Sequence, residues 1–366
     1  MKQILQCFLL AILTACSGNT QLKTMGTIER LDPVLDKIIS PDAKAEIIAE
    51  GFDWSEGPLW IEKYKMLVFS DVPKNTIYKW TEKNGKEVYL TPSGYTSTIK
   101  RGGETGSNGL TLDKEGNLVL CQHGDRRMAR MDAPLDKPEP KFITLADKYD
   151  EKRFNSPNDA VFNNAGELFF TDPPYGLEKQ ADDPKKETAW NGVYKVKKDG
   201  SVILLVDSIT RPNGIAFFPG EQRLIVASSD PDKPNWYVYD VKGDSLINAR
   251  PPAPARMNLS GWRAGTDGDE PRQNDSVGLA FGRGKIFYSA AGHHKSWRGL
   301  PDGLKIDKNG NVFATGPGGV YFFNSEGKKL GMLKLENATS NCALSPDEKT
   351  LYITNDMYVL RLKLRE

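Results

Sequence analysis

The stretch Asn108–Gln122 reads NGLTLDKEGNLVLCQ and contains two short apolar segments separated by polar residues. Leu110–Leu112 and Asn117–Leu120 have the composition of strands, and Asp113–Gly116 between them has that of a turn, so the pattern predicts a β-hairpin. Two further strands are predicted downstream, over Arg127–Met131 and Lys141–Leu145. Together these segments predict one four-stranded sheet.

The same pattern occurs six times along the chain. Each copy opens with Glu, Asn or Asp followed by a small residue, and we call the first residue of each pair its head. Most heads lie roughly 50 residues apart, which is the spacing of one blade of a β-propeller. The six pairs are Glu56-Gly57, Asn108-Gly109, Asn158-Asp159, Asn213-Gly214, Asp302-Gly303 and Asn341-Cys342. The chain is therefore predicted to be all-β and to form a six-bladed β-propeller.

One interval between heads is much longer than the others. It contains residues 242–299, where prolines and a run rich in Gly, Asp and Glu indicate an inserted loop. A seventh blade is the alternative, since Val277–Phe281 followed by Lys285–Tyr288 resembles the repeat. Too few residues remain before Asp302 for a blade, so the insertion is favoured.

The last copy of the repeat has room for only three strands before Glu366. The extended apolar run Ala45–Ala49, just ahead of the first head, is predicted to supply the fourth. Closing the ring in this way removes an open sheet edge that would otherwise invite aggregation. The propeller is accordingly predicted to span residues 45–366.

The N-terminal residues have the features of an export signal. Ile4–Leu13 is an apolar run after a positively charged start, and it is too short to span a membrane as a mature helix. Leu13-Thr14-Ala15-Cys16 resembles the lipobox of bacterial lipoproteins, which implies cleavage of residues 1–16 before a lipidated Cys16. The expected location is the bacterial cell envelope, facing the periplasm or the outer surface; an ordinary cleaved signal is the alternative. Residues 17–44 are predicted to form a tether and a short helix with Asp32 as its cap and Pro33 at its first position.

Composition and charge exclude some classes of partner. The 366 residues carry a formal net charge of +1, which gives no reason to expect nucleic acid or an anionic membrane surface as a partner. Apart from Cys7 and Cys16, the cysteines are Cys121 and Cys342, each within an apolar strand. They are predicted to be packed thiols, because no C-x-x-C motif is present for zinc or redox chemistry.

The heads suggest a metal site. In a propeller the heads lie at one end of the innermost strands, so side chains far apart in sequence converge on the central tunnel. Glu56, Asn158, Asn213 and Asp302 would place two carboxylates and two amide oxygens around one axis. This oxygen-only set suits Ca²⁺, with Mg²⁺, Mn²⁺ or Zn²⁺ as alternatives. Any one of these pairs alone is more typical of a turn than of a ligand, and it is the set of four that indicates a metal site.

Several of these motifs resemble the gluconolactonase and regucalcin family, a family of six-bladed calcium propellers. The similarity extends from about Leu31 to the C-terminus and is densest in GFDWSEGP (51–58), FNSPND (154–159), TDPPYG (171–176), RPNG (211–214) and LPDG (300–303). The resemblance implies metal ligands at Glu56, Asn158, Asn213 and Asp302. It also implies a metal-dependent hydrolase, most often of sugar lactones, with aryl esters and phosphotriesters as further substrates of relatives.

In the mechanism that the resemblance implies, the cation polarises the lactone carbonyl while a carboxylate assists attack by water. Asp302 is the catalytic carboxylate, and whether it acts as base or nucleophile stays open. Asn108, His123, Arg153 and Tyr175 are predicted to bind substrate. Their alternative roles are a turn residue for Asn108, an ordinary loop histidine for His123 and a surface loop around Tyr175. At Arg153, the chain departs from relatives that place a substrate arginine where this sequence has Ser156.

A second class of function is compatible with the same sequence. A non-catalytic propeller could bind a carbohydrate or a protein and keep calcium for stability, since a fold alone does not determine activity. The protein is expected to be a monomer in either case. Hydrolysis of lactones with and without a chelator separates the two hypotheses.

Overall fold

The N-terminal part of the protein adds strands to sheets formed by the C-terminal part. The computed structural model describes residues 22–248, 284–293 and 296–365. Its first strands are β1 (Thr24–Met25), β2 (Thr27–Arg30) and β3 (Ala45–Glu50), and a 3-10 helix lies between β2 and β3 at Pro33–Lys37. Asp32 caps this helix by accepting a 2.8 Å hydrogen bond from the backbone N–H of Val34, as predicted from the sequence.

The first three blades follow in chain order, each an antiparallel sheet with its first strand innermost. Blade 1 contains β4 (Ser55–Ile61), β5 (Met66–Asp71), β6 (Thr76–Thr81) and β7 (Gly85–Leu90). Blade 2 contains β8 (Ser107–Leu112), β9 (Leu118–Gln122), β10 (Arg127–Met131) and β11 (Phe142–Ala146). A small hairpin of β12 (Lys148–Tyr149) and β13 (Lys152–Arg153) precedes blade 3, which contains β14 (Ala160–Phe162), β15 (Leu168–Asp172), β16 (Gly192–Val196) and β17 (Val202–Val206).

The other three blades have additions at their outer edges. Blade 4 contains β18 (Pro212–Phe217), β19 (Arg223–Asp230), β20 (Lys233–Lys242), β21 (Ser245–Asn248) and β22 (Lys285–Ser289). Blade 5 contains β23 (Leu304–Ile306), β24 (Val312–Gly316), β25 (Gly319–Phe323) and β26 (Lys329–Lys334), with β2 outside. Blade 6 contains β27 (Asn341–Leu344), β28 (Thr350–Asn355) and β29 (Tyr358–Lys363), with β3 and β1 outside. The described residues therefore form the six-bladed propeller predicted from the sequence. Short 3-10 turns also occur at Glu62–Tyr64 and Gln180–Asp182.

The ring closes through β3, which pairs with β29 in blade 6 as predicted. The strands β1 and β2 were not predicted, because segments of two and four residues carry too little alternation to be recognised. They form where the outer edges of blades 5 and 6 would otherwise leave backbone groups unpaired. Part of the expected tether, 17–44, is thus built into two blades.

The outer strand of blade 4 is assembled in two halves. One half of β20, from Tyr239 to Lys242, pairs with β21, and the other half, from Asn235 to Val238, pairs with β22. The segment proposed as part of a seventh blade, Lys285–Tyr288, therefore belongs to blade 4. The predicted insertion, residues 242–299, contains both β21 and β22, so part of it completes blade 4 instead of forming a loop. Its residues 249–283 are outside the described part of the chain, as are the signal sequence and Cys16.

Apolar side chains of neighbouring blades pack against each other around the ring. Val119 and Cys121 of blade 2, for example, pack in one cluster with Phe170 and Tyr194 of blade 3. Cys121 and Cys342 are both free and fully buried, which confirms their prediction as packed thiols. No helix among the described residues is long and apolar enough to cross a membrane.

Candidate functional site

The heads lie where the innermost strands begin. Glu56, Asn108 and Asn213 lie at irregularities in the pairing of β4, β8 and β18. The register shifts directly after Glu56 and across the short segments that contain Asn108 and Asn213. Asn158 and Asp302 come two residues before β14 and β23. Such irregularities bend a strand and redirect its side chains, which is why they are frequent beside functional sites. The first residue of every repeat is thereby brought to one end of the propeller.

The small residue after each head is required by crowding around the axis. A Cβ atom on Gly57 would collide with the carbonyl oxygen of Asn108, and one on Gly214 would collide with that of Asp302. The backbone N–H of Gly109 donates a 2.7 Å hydrogen bond to the carbonyl of Asn158. At these three positions the glycine after the head packs against the head of the next blade, and a side chain on that glycine would separate them.

Buried carboxylates at the ends of second strands fix the segments that precede the heads. Asp172, the last residue of β15, accepts hydrogen bonds of 2.8 Å and 2.7 Å from the backbone N–H groups of Asn155 and Ser156. Asp71, at the end of β5, accepts in the same way from Asp53 and Trp54. These bonds hold the backbone on the approach to Asn158 and Glu56.

One cavity of about 310 Å³ brings the predicted metal ligands together, at the lower end of the about 300–1,000 Å³ usual for small-molecule sites. Of the eight predicted site residues, six line it: Glu56, Asn108, Asn158, Tyr175, Asn213 and Asp302. These residues come from five blades. Convergence on one cavity is therefore a property of the ring rather than of any local segment.

The oxygen atoms of this cavity lack partners within the protein. The Oδ1 atoms of Asn108, Asn158, Asn213 and Asp302 are buried without a hydrogen bond to any described residue. At Asn213 the reason is visible, because its Nδ2 donates a 2.9 Å hydrogen bond to Ser229 Oγ and leaves Oδ1 free. The sixth head differs, since Asn341 Oδ1 accepts from the backbone N–H of Cys342 at 2.8 Å.

The electrostatics of the cavity also indicate a missing positive charge. Burial raises the pKa of Glu56 to about 8, and the neighbouring carboxylates of Asp159 and Glu104 add to the effect. Burial, and then the charge of Glu56, raise the pKa of Asp302 well above its usual range. Two buried carboxylates held together without a counter-charge are costly, and a cation between them would restore both to the ionised form.

The donor set fits a hard divalent cation. Two carboxylates and two amide oxygens are the ligand types that Ca²⁺ takes in proteins. Here the amide oxygens lack hydrogen-bond partners in the described part of the chain, and burial disfavours the ionised form of the carboxylates. Among the described residues no group of three or more His, Cys, Asp or Glu side chains is arranged for a metal. This agrees with an oxygen site in which only half of the ligands are carboxylates.

The two remaining site predictions lie elsewhere. Arg153 lines a different cavity beside Lys100 and Glu178, and its guanidinium donates to the carbonyl of Asp125. Arg153 therefore lies away from the cavity that contains the predicted ligands, and its role in substrate binding stays a prediction. His123 is fully buried and lies behind the cavity wall, where its Nδ1 is 3.0 Å from Glu104 Oε2. His123 therefore does not line this cavity, and its direct contact with substrate stays a prediction.

Several lining residues were not singled out from the sequence. Four of them lie in connecting segments or near a head, and Ser229 lies near the end of β19: Trp54, Glu104, Arg211, Ser229 and Thr339. Ser229 accepts from Asn213 and donates to the carbonyl of Pro301, and the Tyr175 hydroxyl also bonds to it. Burial raises the pKa of Tyr175, so its hydroxyl remains protonated. Proximity to a head could have pointed to Trp54 and Arg211, but no sequence pattern marks Glu104.

Comparison with known proteins places this arrangement in a family. The family described as SMP-30/Gluconolactonase/LRE-like region matches residues 54–356. The chain belongs to this family. A gluconolactonase of Zymomonas mobilis subsp. mobilis, strain ATCC 31821 / ZM4 / CP4, is 34% identical over 355 residues, covering 96% of this chain and 90% of the relative.

Solved structures of the SMP-30/gluconolactonase family have the same architecture. A gluconolactonase from Xanthomonas campestris is similar with a TM-score of 0.72 and 26% identity, over 94% of this chain and 96% of that one. A regucalcin from Agrobacterium tumefaciens, described as a calcium-binding protein, has a TM-score of 0.60 and 16% identity, over 87% and 93% of the two chains. The latter likeness shows the fold alone. The predicted family and fold are both confirmed.

Proposed function

We propose that this protein hydrolyses sugar lactones with the help of a divalent cation, of which Ca²⁺ is the preferred candidate. The proposed ligands of this cation are Glu56, Asn158, Asn213 and Asp302. The observation that carries the proposal is the convergence of these four side chains on one cavity, with three of the four presenting a buried and unpartnered oxygen. Membership of a family that includes named gluconolactonases supports the reaction and the substrate class. When bound, the cation would act as a Lewis acid at the lactone carbonyl.

Asp302 is the proposed proton acceptor. Its carboxylate lines the cavity, and a bound cation would keep it ionised and so able to accept a proton. A water molecule adds to the carbonyl carbon and passes a proton to Asp302. The bond between that carbon and the ring oxygen then breaks, and the ring oxygen takes the proton, giving the hydroxy acid.

Other residues of the chain orient the reacting groups. The Ser229 hydroxyl fixes the amide of Asn213 and bonds to the carbonyl of Pro301, next to Asp302. Ser229 therefore couples the positions of two proposed ligands from blades 4 and 5. Tyr175 is bonded to the same hydroxyl and lines the cavity, where its phenolic oxygen can accept a hydrogen bond from a hydroxyl group of the substrate.

The test is hydrolysis of a panel of five- and six-membered sugar lactones, aryl esters and phosphotriesters, with calcium and with a chelator. Sugar lactones are expected to be hydrolysed, and the chelator to abolish the reaction reversibly. Asp302→Asn keeps the shape and one ligand oxygen while removing the proton acceptor, so kcat should fall by about 100-fold or more. If no lactone is hydrolysed while a glycan is still bound, the protein is a binder and the proposal fails.

A further inference from the structure

Glu104 is a carboxylate at the cavity that does not belong to the repeat heads. It lies in the connection between β7 and β8, four residues before the head Asn108, and lines the cavity with 37% of its side chain exposed. Its described charged contact is with His123, whose Nδ1 is 3.0 Å from Oε2. One carboxylate oxygen of Glu104 therefore contacts His123, while the side chain remains accessible from the cavity.

His123 is well placed to fix the orientation of Glu104. Its side chain is fully buried, and neither ring nitrogen makes a well-aligned hydrogen bond to a described residue, so the Glu104 contact is the polar interaction available to Nδ1. A Cβ atom on Gly176 would lie only 2.8 Å from the Cβ of His123 and 2.6 Å from that of Ser156. Since the neighbouring loop packs this closely, the imidazole has little freedom to move away.

We infer that Glu104, positioned by His123, binds ring hydroxyl groups of the substrate and makes the site selective for polyhydroxylated lactones. The inference rests on the proposed function and specifies its substrate class. An ionised carboxylate accepts strong hydrogen bonds from hydroxyl groups, and a site built to bind a hydroxyl rejects an analogue that lacks it. Asn108, on the same blade, presents a second unpartnered acceptor, Oδ1, on the cavity wall.

Glu104 is close enough to the proposed reaction centre for this role. It lines the same cavity of about 310 Å³ as Glu56, Asp302 and Tyr175. With the lactone carbonyl placed at Asp302, Glu104 and Asn108 are the acceptors of the cavity wall that the inference assigns to the ring hydroxyls. Glu104 is accordingly a binding residue, and His123 is a positioning residue.

The experiment compares glucono-1,5-lactone with δ-valerolactone, which has the same ring without hydroxyl groups. Glu104→Ala should lower kcat/KM for gluconolactone by about 10- to 100-fold, the range for a hydrogen bond to a charged group, and change that for δ-valerolactone by less than about threefold. His123→Leu should cause a smaller loss of the same selectivity, and His123→Gln, which keeps a donor, should recover part of it. Glu178→Ala is the matched control, because Glu178 is 38% exposed in a nearby loop but does not line this cavity.

Two results with these variants would overturn the inference. Equal losses on both lactones would mean that Glu104 acts in the chemistry or the fold, and a weakened calcium response in Glu104→Ala would make it a metal ligand. Calorimetric binding of gluconate and of 5-hydroxyvalerate gives a readout independent of turnover. If the wild-type protein hydrolyses no lactone, the proposed function fails, whereas preferential and Glu104-dependent binding of gluconate would still support the role of Glu104.

Discussion

Single side-chain atoms determine what the cavity can bind. Asn213 and Asn341 are both heads with the same side chain, yet Asn213 has its Nδ2 held by Ser229 and Asn341 has its Oδ1 held by its own strand. Only the first arrangement leaves an amide oxygen free for a cation. The proposed ligand set is thus selected by hydrogen bonding behind the heads as much as by residue type.

Asn213→Ala is expected to weaken the stabilisation of the protein by calcium. A ligand that binds only the folded state stabilises it by mass action, by about 2.7 kcal/mol at 100 times its Kd. Thermal unfolding with calcium and with chelator should therefore show a higher Tm with calcium in the wild type and less than half of that increase in Asn213→Ala.

Asn117→Ala is the control for this measurement. Asn117 bonds to Asp113 in the β8–β9 turn and is not part of the cavity wall, so its variant should keep the full response to calcium. An unchanged calcium response in Asn213→Ala, or none in the wild type, would contradict the ligand assignment.

At the scale of elements, the pairing of a first strand with a second strand positions each head. The carboxylate at the end of β15 holds the backbone before Asn158, and the one at the end of β5 does the same before Glu56. Burial raises the pKa of Asp172 to about 7, although Asn155, Ser156, Arg126 and Lys186 act in the opposite direction. The folded state therefore binds a proton at Asp172 more tightly than the unfolded state does.

This difference predicts a pH dependence of stability. Because the folded pKa is raised above the reference value of 3.8, the contribution of Asp172 is fully favourable below about pH 4 and is lost as the pH rises to about 7. Its size is at most about 4 kcal/mol, from about 1.4 kcal/mol per unit of pKa. In Asp172→Asn this contribution to the pH dependence of the free energy of unfolding should disappear. Urea unfolding at pH 5 and pH 8 should therefore show that the variant gains stability relative to the wild type at the higher pH.

The control for the pH experiment is a carboxylate in an exposed turn. Asp199 bonds to Ser201, which lowers its pKa, so it is ionised at both pH values in the folded and unfolded states. Asp199→Asn should differ from the wild type by the same amount at pH 5 and pH 8. A constant difference for Asp172→Asn as well would show that Asp172 is ionised throughout.

At the scale of the whole molecule, the two ends of the chain are joined through blade 6, and β2 extends blade 5. Residues 22–30 are consequently part of the folded ring, which leaves few residues between it and Cys16. We propose that Cys16 is lipidated and anchors the propeller in the bacterial cell envelope close to a membrane surface, on the strength of the lipobox-like Leu13–Cys16 sequence.

Cys16→Ser is expected to abolish this anchoring, because the thiol is the acceptor of the lipid. After cell fractionation the wild-type protein should be found with membranes, and the variant as a soluble or uncleaved form. Mass spectrometry of the mature N-terminus checks the modification directly. Recovery of unlipidated wild-type protein in the soluble fraction would contradict the proposal.

The sequence by itself determined the repeat, the closure of the ring by Ala45–Ala49 and the candidate ligands Glu56, Asn158, Asn213 and Asp302. These features follow from local patterns, because strand alternation and a head at a fixed place in each copy are enough to place them on one axis. The strands β1 and β2 were not predicted, because a segment of two or four residues becomes a strand only where the edge of a blade is available to pair with it.

Only the tertiary structure decided which connecting segments fold over the end of the ring. Arg153 precedes a head closely and yet points to Asp125, whereas Glu104 and Arg211 reach the cavity from two different connections. The position of a loop side chain depends on the packing of segments distant in sequence, as His123 behind Glu104 illustrates. A repeat therefore fixes the axis and the heads, and the contacts between blades fix the rest of the site.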